Sequence, residues 1–270
     1  MALAKLAQAL GIPVYQTSLF MPRYPDGQWG EWRISHTGTG IVPGYYTRQW
    51  LISGAPVLAR RHPQHPNAWD TWMSLTPHEI ESQEPACRYA RGHTAIMGLG
   101  LGWIALNVAL NPAVSRVTVV ERDPQMLAFF QALGVLAQVA PEIQAKIHLV
   151  EADALTWLPE QPVDFLFADI WRDLGEANAL ADVRGMQRQV RAETVYYWGQ
   201  ELRLYLEYRR RFGAQAPLER QRLEACAAEA LGLPLLLPGD VDYPQLIQRA
   251  VDHRLSRGLP LESATCPAAS

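Results

Sequence analysis

Three glycines and three carboxylates, set at regular intervals, are the residues of this chain best equipped for chemistry. Residues 94–121 read TAIMGLGLGWIALNVALNPAVSRVTVVE. A short apolar run, Ala95-Ile96-Met97, enters Gly98, Gly100 and Gly102; an apolar helical stretch follows, and a second β-rich run, Val117 to Val120, ends on Glu121. Glycine tolerates positive φ and carries no Cβ, so a ligand can lie against bare backbone where the helix begins. An acid at the tip of the next strand, 19 residues past Gly102, is placed to hold the two hydroxyls of a ribose. Strand, glycine turn, helix, strand and acid therefore predict a nucleoside-binding βαβ unit. The competing explanation is a turn that serves packing alone.

Two patterns overlap in that turn. Read from Gly98 the glycines form GxGxG; read from Gly100, GLGWIA fits GxGxxA, an accepted dinucleotide-binding variant. Downstream, Lys146–Glu151 (KIHLVE) predicts a third strand, followed by Glu151-Ala152-Asp153-Ala154-Leu155. Val163–Phe167 (VDFLF) predicts a fourth, ending at Ala168-Asp169-Ile170-Trp171. Over about residues 90–200 this succession resembles the class I S-adenosylmethionine-dependent methyltransferases, in which GxGxG is the usual form. The resemblance implies that Gly98, Gly100 and Gly102 pass under the methionine and ribose portions of the cofactor and that Glu121 binds the ribose hydroxyls. It implies further that Asp153 accepts from the adenine amino group, with Ala154 beside it, and that Asp169 sits at the methyl-transfer end. The physics agrees, since ligands of open α/β sheets bind outside the carboxyl ends of the strands. Asp153 could equally be the N-cap of a helix starting near Ala154. A carboxylate closing a run as apolar as VDFLFA is harder to explain as structure. Asp169 is the first candidate base and Asp173, one helical turn later, the second; Glu81 and Trp171 are candidate acceptor contacts.

Composition narrows the classes. In 270 residues, 49% are hydrophobic and 19% charged, with a formal net charge of −3. That balance suits a globular domain and argues against a large basic surface for nucleic acid. Arg209-Arg210-Arg211 follows Leu202, Tyr205 and Leu206 and reads as a solvated helix end. Cys87, Cys226 and Cys266 are scattered, which suits a reducing compartment. No apolar run approaches the ~18 residues of a membrane span, and MALAKLAQALGIP is too short and weakly charged for a signal peptide. The expectation is a cytoplasmic protein with no membrane and no nucleic-acid partner, a small-molecule acceptor, and a homodimer as the candidate assembly. His62 and His65 are hemmed in by Pro63 and Pro66 and read as a loop. The predicted fifth strand ends on Trp198-Gly199-Gln200-Glu201 rather than the acid–amide pair of a catechol-type metal site, so no metal is expected.

The predicted fold is α/β: a Rossmann-like, mostly parallel sheet with helices on both faces, preceded by a small N-terminal β-rich unit and followed by C-terminal helices. Residues 1–90 are dense in aromatics, with β-like runs at Val14–Phe20, Trp29–Ser35 and Trp50–Ser53 and turn signals at Pro25-Asp26-Gly27 and Gly38–Gly40. They form a substrate-cap region; 91–200 form the cofactor-binding domain, 201–262 a helical region and 263–270 a flexible tail. Thr76, Pro77 and Glu79 read as N-cap, N1 proline and capping-box acid, with Glu81 and Gln83 directed at the glycine turn. Gly175–Arg191, Gly199–Phe212, Pro217–Leu231 and Tyr243–Arg257 read as helices around a fifth strand, Glu193–Trp198, with a break at Pro234–Pro238. The terminal antiparallel hairpin usual in class I methyltransferases is not predicted.

The leading functional expectation is methyl transfer from S-adenosylmethionine. Aminopropyl transfer, as in spermidine synthases, is the second. Those enzymes are similar in their N-terminal β unit and acid-bearing helix, but they carry an Asp in the glycine loop, where Leu99 and Leu101 stand here. Their paired aspartates after the fourth strand also differ from Asp169 and Asp173, which are four apart. A non-catalytic S-adenosylmethionine-binding protein and a nicotinamide reductase are the remaining classes.

Overall fold

Alternation of aromatic and polar residues in the N-terminal third closes into antiparallel strands in the computed structural model, which describes residues 2–263. Helix α1 (Ala2–Leu10) precedes β1 (Gly27–Trp29), β2 (Trp32–His36), β3 (Gly40–Val42), β4 (Trp50–Ile52), β5 (Pro56–Arg61) and β6 (Trp69–Ser74). Four of these form an antiparallel sheet in the order β1-β2-β5-β6, and β3 pairs with β4. The Val14–Phe20 run is not a strand. It contributes one isolated bridge, Val14 to Leu51. The His62–Pro66 segment joins β5 to β6, with His62 Nδ1 accepting from the Gln64 and His65 amides.

Helix α2 (Pro77–Tyr89) leads into β7 (Gly92–Met97), α3 (Trp103–Leu110), β8 (Val114–Glu121), α4 (Pro124–Ala132), α5 (Pro141–Gln144) and β9 (Ile147–Glu151). Then follow β10 (Phe165–Ala168), α6 (Ala179–Val190), β11 (Thr194–Tyr197), α7 (Gln200–Phe212), α8 (Arg220–Ala225) and α9 (Tyr243–Ser256). Five strands make one parallel sheet, β11-β10-β7-β8-β9. Numbered within the sheet that order is 3-2-1-4-5, the doubly wound arrangement whose ligands bind at the carboxyl edge. Phe165–Ala168 is buried throughout, as a strand covered on both faces must be. Alternate residues go to two cores. Ile96, Val117, Val119, Phe165 and Phe167 pack against α3 and α4, while Ala95, Met97, Val120, Leu166 and Ala168 pack against α6 and the C-terminal helices.

The C-terminal helices differ in detail from the sequence pattern. Gly175 lies in a turn, and α6 starts at Ala179 because Asp173 accepts from the Gly175 amide and holds that turn. The Pro217–Leu231 helix begins at Arg220 and widens into a π-helical turn over Cys226–Leu231. Pro234–Leu236 lies along the edge of β11, where Val195 donates to Pro234 O and accepts from Leu236 N. No further strand follows β11 among the described residues. The 263–270 tail lies outside them except for Ser263, which donates to Asp173.

The N-terminal unit shares the sheet's core. Tyr24, Trp32, Ile34, Leu58 and Leu75 belong to the same apolar cluster as α3, α4 and β8. Full burial of one large apolar side chain is worth about 1.5–3 kcal/mol, so this seam weighs heavily in stability. Polar ties reinforce it: Trp103 Nε1 donates to Phe20 O at 2.9 Å, and Tyr24 donates to Leu101 O at 3.1 Å. A second tie is buried under α2. The Glu201 carboxylate accepts from Tyr45, Tyr46, Tyr196 and Tyr243 at 2.8–3.2 Å. Burial raises its pKa, and those hydroxyls oppose the shift.

Candidate functional site

All four strands from β7 to β10 end on one cavity. It encloses about 1160 Å³ including its open mouth, and its walls come from the segments after each strand: Gly98–Leu101, Glu121–Asp123, Asp153–Leu155 and Asp169–Trp171. Trp198, just past β11, closes one side. Small-molecule sites sit at this edge in doubly wound sheets.

Gly98, Gly100 and Gly102 all have positive φ, at 98°, 49° and 69°, so each requires glycine for backbone reasons. Their surroundings differ. A Cβ on Gly98 would strike the Asp169 carbonyl, and one on Gly100 would lie 2.5 Å from Met73 Sδ. Gly102 does not line the cavity; it is the left-handed N-cap of α3, and a Cβ there would enter the Phe130 ring. For Gly102 the structure thus gives a packing reason. The turn's amides are also engaged: Leu99 N donates to Glu121 Oε2 at 3.1 Å, Leu101 N to Met73 Sδ at 3.3 Å and Gly102 N to Leu99 O at 2.8 Å.

Glu121 stands between the turn and α4. Its Oε1 accepts from Asp123 N at 2.9 Å, and each oxygen keeps one lone-pair direction beyond the amide it holds. Asp153 heads a turn rather than a helix, with Oδ1 accepting from Leu155 N. Its side chain is exposed at the cavity wall, and Ala154 is buried beside it.

Across the cavity lies a constellation of two acids and one amide. Gln83 Nε2 donates to Glu79 Oε1 at 2.9 Å and to Asp169 Oδ2 at 2.8 Å. Burial drives both carboxyls upward: Asp169 to about 7, and Glu79 well above the carboxylate range, with the Asp169 charge adding to the shift. Gln83 Oε1 is buried with no hydrogen-bond partner. The sequence pattern assigned Glu79 to a capping box, yet Thr76 makes no side-chain cap. The spacing that pairs Glu79 with Gln83, one helical turn on, was the available signal, since i and i+4 share a helix face.

The N-terminal unit forms the opposite wall through Trp32, Arg60, Trp72 and Met73. Trp32 Nε1 donates to Asp123 Oδ2 at 3.3 Å and its ring meets Trp72 edge-on at 5.5 Å. Trp171 also lines the cavity, with Nε1 donating to Asp182 at 2.9 Å.

Two sequence candidates fall elsewhere. Asp173 is held by Arg254 at 3.0 Å, Ser263 at 2.7 Å and the Gly175 amide at 2.9 Å, outside the cavity wall. Those donors outweigh its desolvation and keep its pKa below the usual value, the reverse of what a base near neutrality needs. Glu81 projects from the opposite face of α2, two residues from Glu79. It accepts from Tyr46 N, Thr47 and Trp50 at 2.8–2.9 Å and anchors the β3–β4 loop. Among the described residues no cluster of three or more His, Cys, Asp or Glu could hold a metal ion, and no helix is long and apolar enough to cross a membrane.

No family model and no curated protein matches the chain. Parts of it are similar to solved structures. One is the glycopeptide N-methyltransferase MtfA complexed with S-adenosyl-L-methionine, at 20% identity and TM-score 0.31 over 41% of this chain and 47% of that one. Another is a putative methyltransferase from Thermoplasma acidophilum, at 18% identity and TM-score 0.30 over 38% and 41%. A third is the DhpI-SAM-HEP complex, at 20% identity and TM-score 0.31 over 43% and 50%. The chain spans about half the length of these proteins or less. Likeness of that extent lends no weight to the assignment of the site, which rests on the geometry above.

Proposed function

We propose that this chain is an S-adenosylmethionine-dependent methyltransferase acting on a small-molecule acceptor in the cytoplasm. The carrying observation is the convergence of the glycine turn, Glu121, Asp153 and Asp169 on one cavity at the carboxyl edge of the parallel sheet. The residues fit the cofactor. Glu121 has two acceptor directions for two ribose hydroxyls, and Asp153 with Ala154 offers an acceptor and an apolar surface to adenine. Three amides of the turn, those of Leu99, Leu101 and Gly102, already donate within the protein, which leaves fewer for a pyrophosphate.

When bound, the cofactor supplies an electrophilic methyl on its sulfonium. Glu121 and Asp153 would hold the nucleoside end, with Gly98 and Asp169 beside the remainder of the cofactor. Orientation is the main service such a site performs, with ~7–11 kcal/mol as its upper range. Asp169, with its pKa near neutrality, takes a proton from an acceptor that carries one. Tryptophans of the cover exclude water from the transfer. Calorimetry with S-adenosylmethionine, S-adenosylhomocysteine, decarboxylated S-adenosylmethionine and nicotinamide dinucleotides tests the reading. The first two are expected to bind. Preference for the decarboxylated form would replace methyl by aminopropyl transfer, and preference for a dinucleotide would overturn the reading.

A further inference from the structure

The wall formed by Glu79, Gln83 and Asp169 contains more acceptors than the protein can satisfy. Two buried carboxyls share one amide group, and Gln83 Oε1 faces no donor. Arg60 and Arg122 line the same cavity, but neither pairs with these acids. Arg172 and Arg254, which lie near this strand tip, pair with Asp70 and Asp173 instead, and no ion pair involves Glu79 or Asp169 among the described residues. Unpaired buried carboxyls hold on to their protons, as both raised pKa values show, and a ligand carrying positive charge is the partner that would let them ionise. The same cavity is lined by the indoles of Trp32, Trp72, Trp103, Trp171 and Trp198, a residue type whose faces attract cations.

We propose that the acceptor is an amine, held as its ammonium ion by Glu79, Asp169 and Gln83 Oε1 within the indole wall and deprotonated there before methyl transfer. This rests on the cofactor reading above. An ammonium group has three N–H donors for three waiting acceptor atoms, one from each residue, and its single positive charge balances one ionised carboxyl of the pair; a neutral alcohol or thiol does neither. One N–H proton passes to the Asp169 carboxylate. The freed nitrogen lone pair forms the N–C bond to the methyl as the C–S bond breaks. The C–S electron pair stays on sulfur, converting sulfonium to thioether. The methylated nitrogen departs as an ammonium ion, and the Asp169 proton goes to solvent.

The test uses the full chain saturated with S-adenosylhomocysteine, titrated calorimetrically with n-butylamine and with 1-butanol. The amine is expected to bind at least tenfold more tightly. Glu79→Gln and Asp169→Asn are each expected to remove that preference; Asn at 169 keeps an acceptor for Gln83 Nε2, so it retains the fold if the other variant does not. The cofactor has an ammonium group of its own, so both variants are also titrated with S-adenosylhomocysteine and with 5′-methylthioadenosine, which lacks the amino-acid portion. A ratio of those two affinities that stays within threefold of wild type supports the proposal. A large change in that ratio assigns the acids to the cofactor and overturns it, as does equal binding of amine and alcohol. Failure of the wild type to bind S-adenosylmethionine or S-adenosylhomocysteine is a separate result, which removes the cofactor reading and this inference together.

Discussion

Replacing Glu121 by alanine removes an acceptor that the structure uses twice and, on the proposed function, a ligand uses twice more. Its Oε2 and Oε1 hold the amides of Leu99 and Asp123 at 3.1 and 2.9 Å. One lone-pair direction on each oxygen is left for a ribose hydroxyl. A hydrogen bond to a charged acceptor contributes ~1.5–3 kcal/mol, so losing both ribose contacts weakens binding by about 3–6 kcal/mol. At 1.4 kcal/mol per factor of ten, that is roughly 10²–10⁴ in the dissociation constant of S-adenosylhomocysteine. Freeing Leu99 N also loosens the glycine turn, so part of the loss is reorganisation. Glu121→Gln separates the two effects, since its carbonyl oxygen can keep one amide and one hydroxyl while its NH₂ opposes the second backbone amide. It is expected to fall between wild type and alanine. Isothermal calorimetry, with thermal melts to confirm folding, reads both variants. An alanine variant that binds within threefold of wild type would remove Glu121 from the ligand site and with it the orientation argued for the cofactor.

Three further outcomes follow from particular contacts. A carboxyl whose folded pKa lies above its unfolded value of about 3.9 costs stability as pH rises from that value through about 7, where Asp169 loses its proton. Asp169→Asn is therefore expected to raise Tm by roughly 5 °C more at pH 8 than at pH 5, where only part of the cost has accumulated, and to give no such gain near pH 3; equal shifts at all three pH values would contradict the burial argument. Asp173 has the opposite sign: its lowered pKa contributes stability that is present at neutral pH and lost as pH falls through the folded value. Because it is half exposed, Asp173→Asn should cost only ~0.5–1 kcal/mol in urea melts and leave S-adenosylhomocysteine affinity intact; a tenfold affinity loss would return it to the site. Gly102→Ala should destabilise by about 2–4 kcal/mol in denaturant melts, from left-handed strain together with the Phe130 clash, and a neutral result would show that Phe130 gives way.

The parallel strands were legible because each carries a compact apolar or β-branched run, and three end on a distinctive residue: Gly98 after β7, Glu121 on β8, Asp169 after β10. Strands β5 and β6 escaped notice. Pro56–Arg61 mixes proline and arginines with apolar residues, and Trp69–Ser74 carries Asp70 and Thr71, since one face of this sheet is open. Glu79 was hidden by a local pattern that fits a helix cap equally well; only the long-range approach of α2 to Asp169, 86 residues away through Gln83, reveals it. Asp173 misled for the converse reason. Its spacing from Asp169 suggests a shared helix face, but the chain there is a turn fastened by Arg254, which is 81 residues further on. Trp32 lies in the Trp29–Ser35 run expected to be β-like, and the register of β2 turns it inward against Trp72.

Met73 gives the cover and the turn a common part. Its sulfur accepts from Leu101 N and sits where a side chain at Gly100 would have to go, while the same residue lines the cavity. The two halves of the pocket therefore cannot drift apart by independent substitution. A shorter or branched residue at 73, selected to admit a bulkier guest, would also release an amide of the glycine turn and open room above Gly100. Changes in what the cover accepts would then arrive with changes in the hydrogen bonding of the turn.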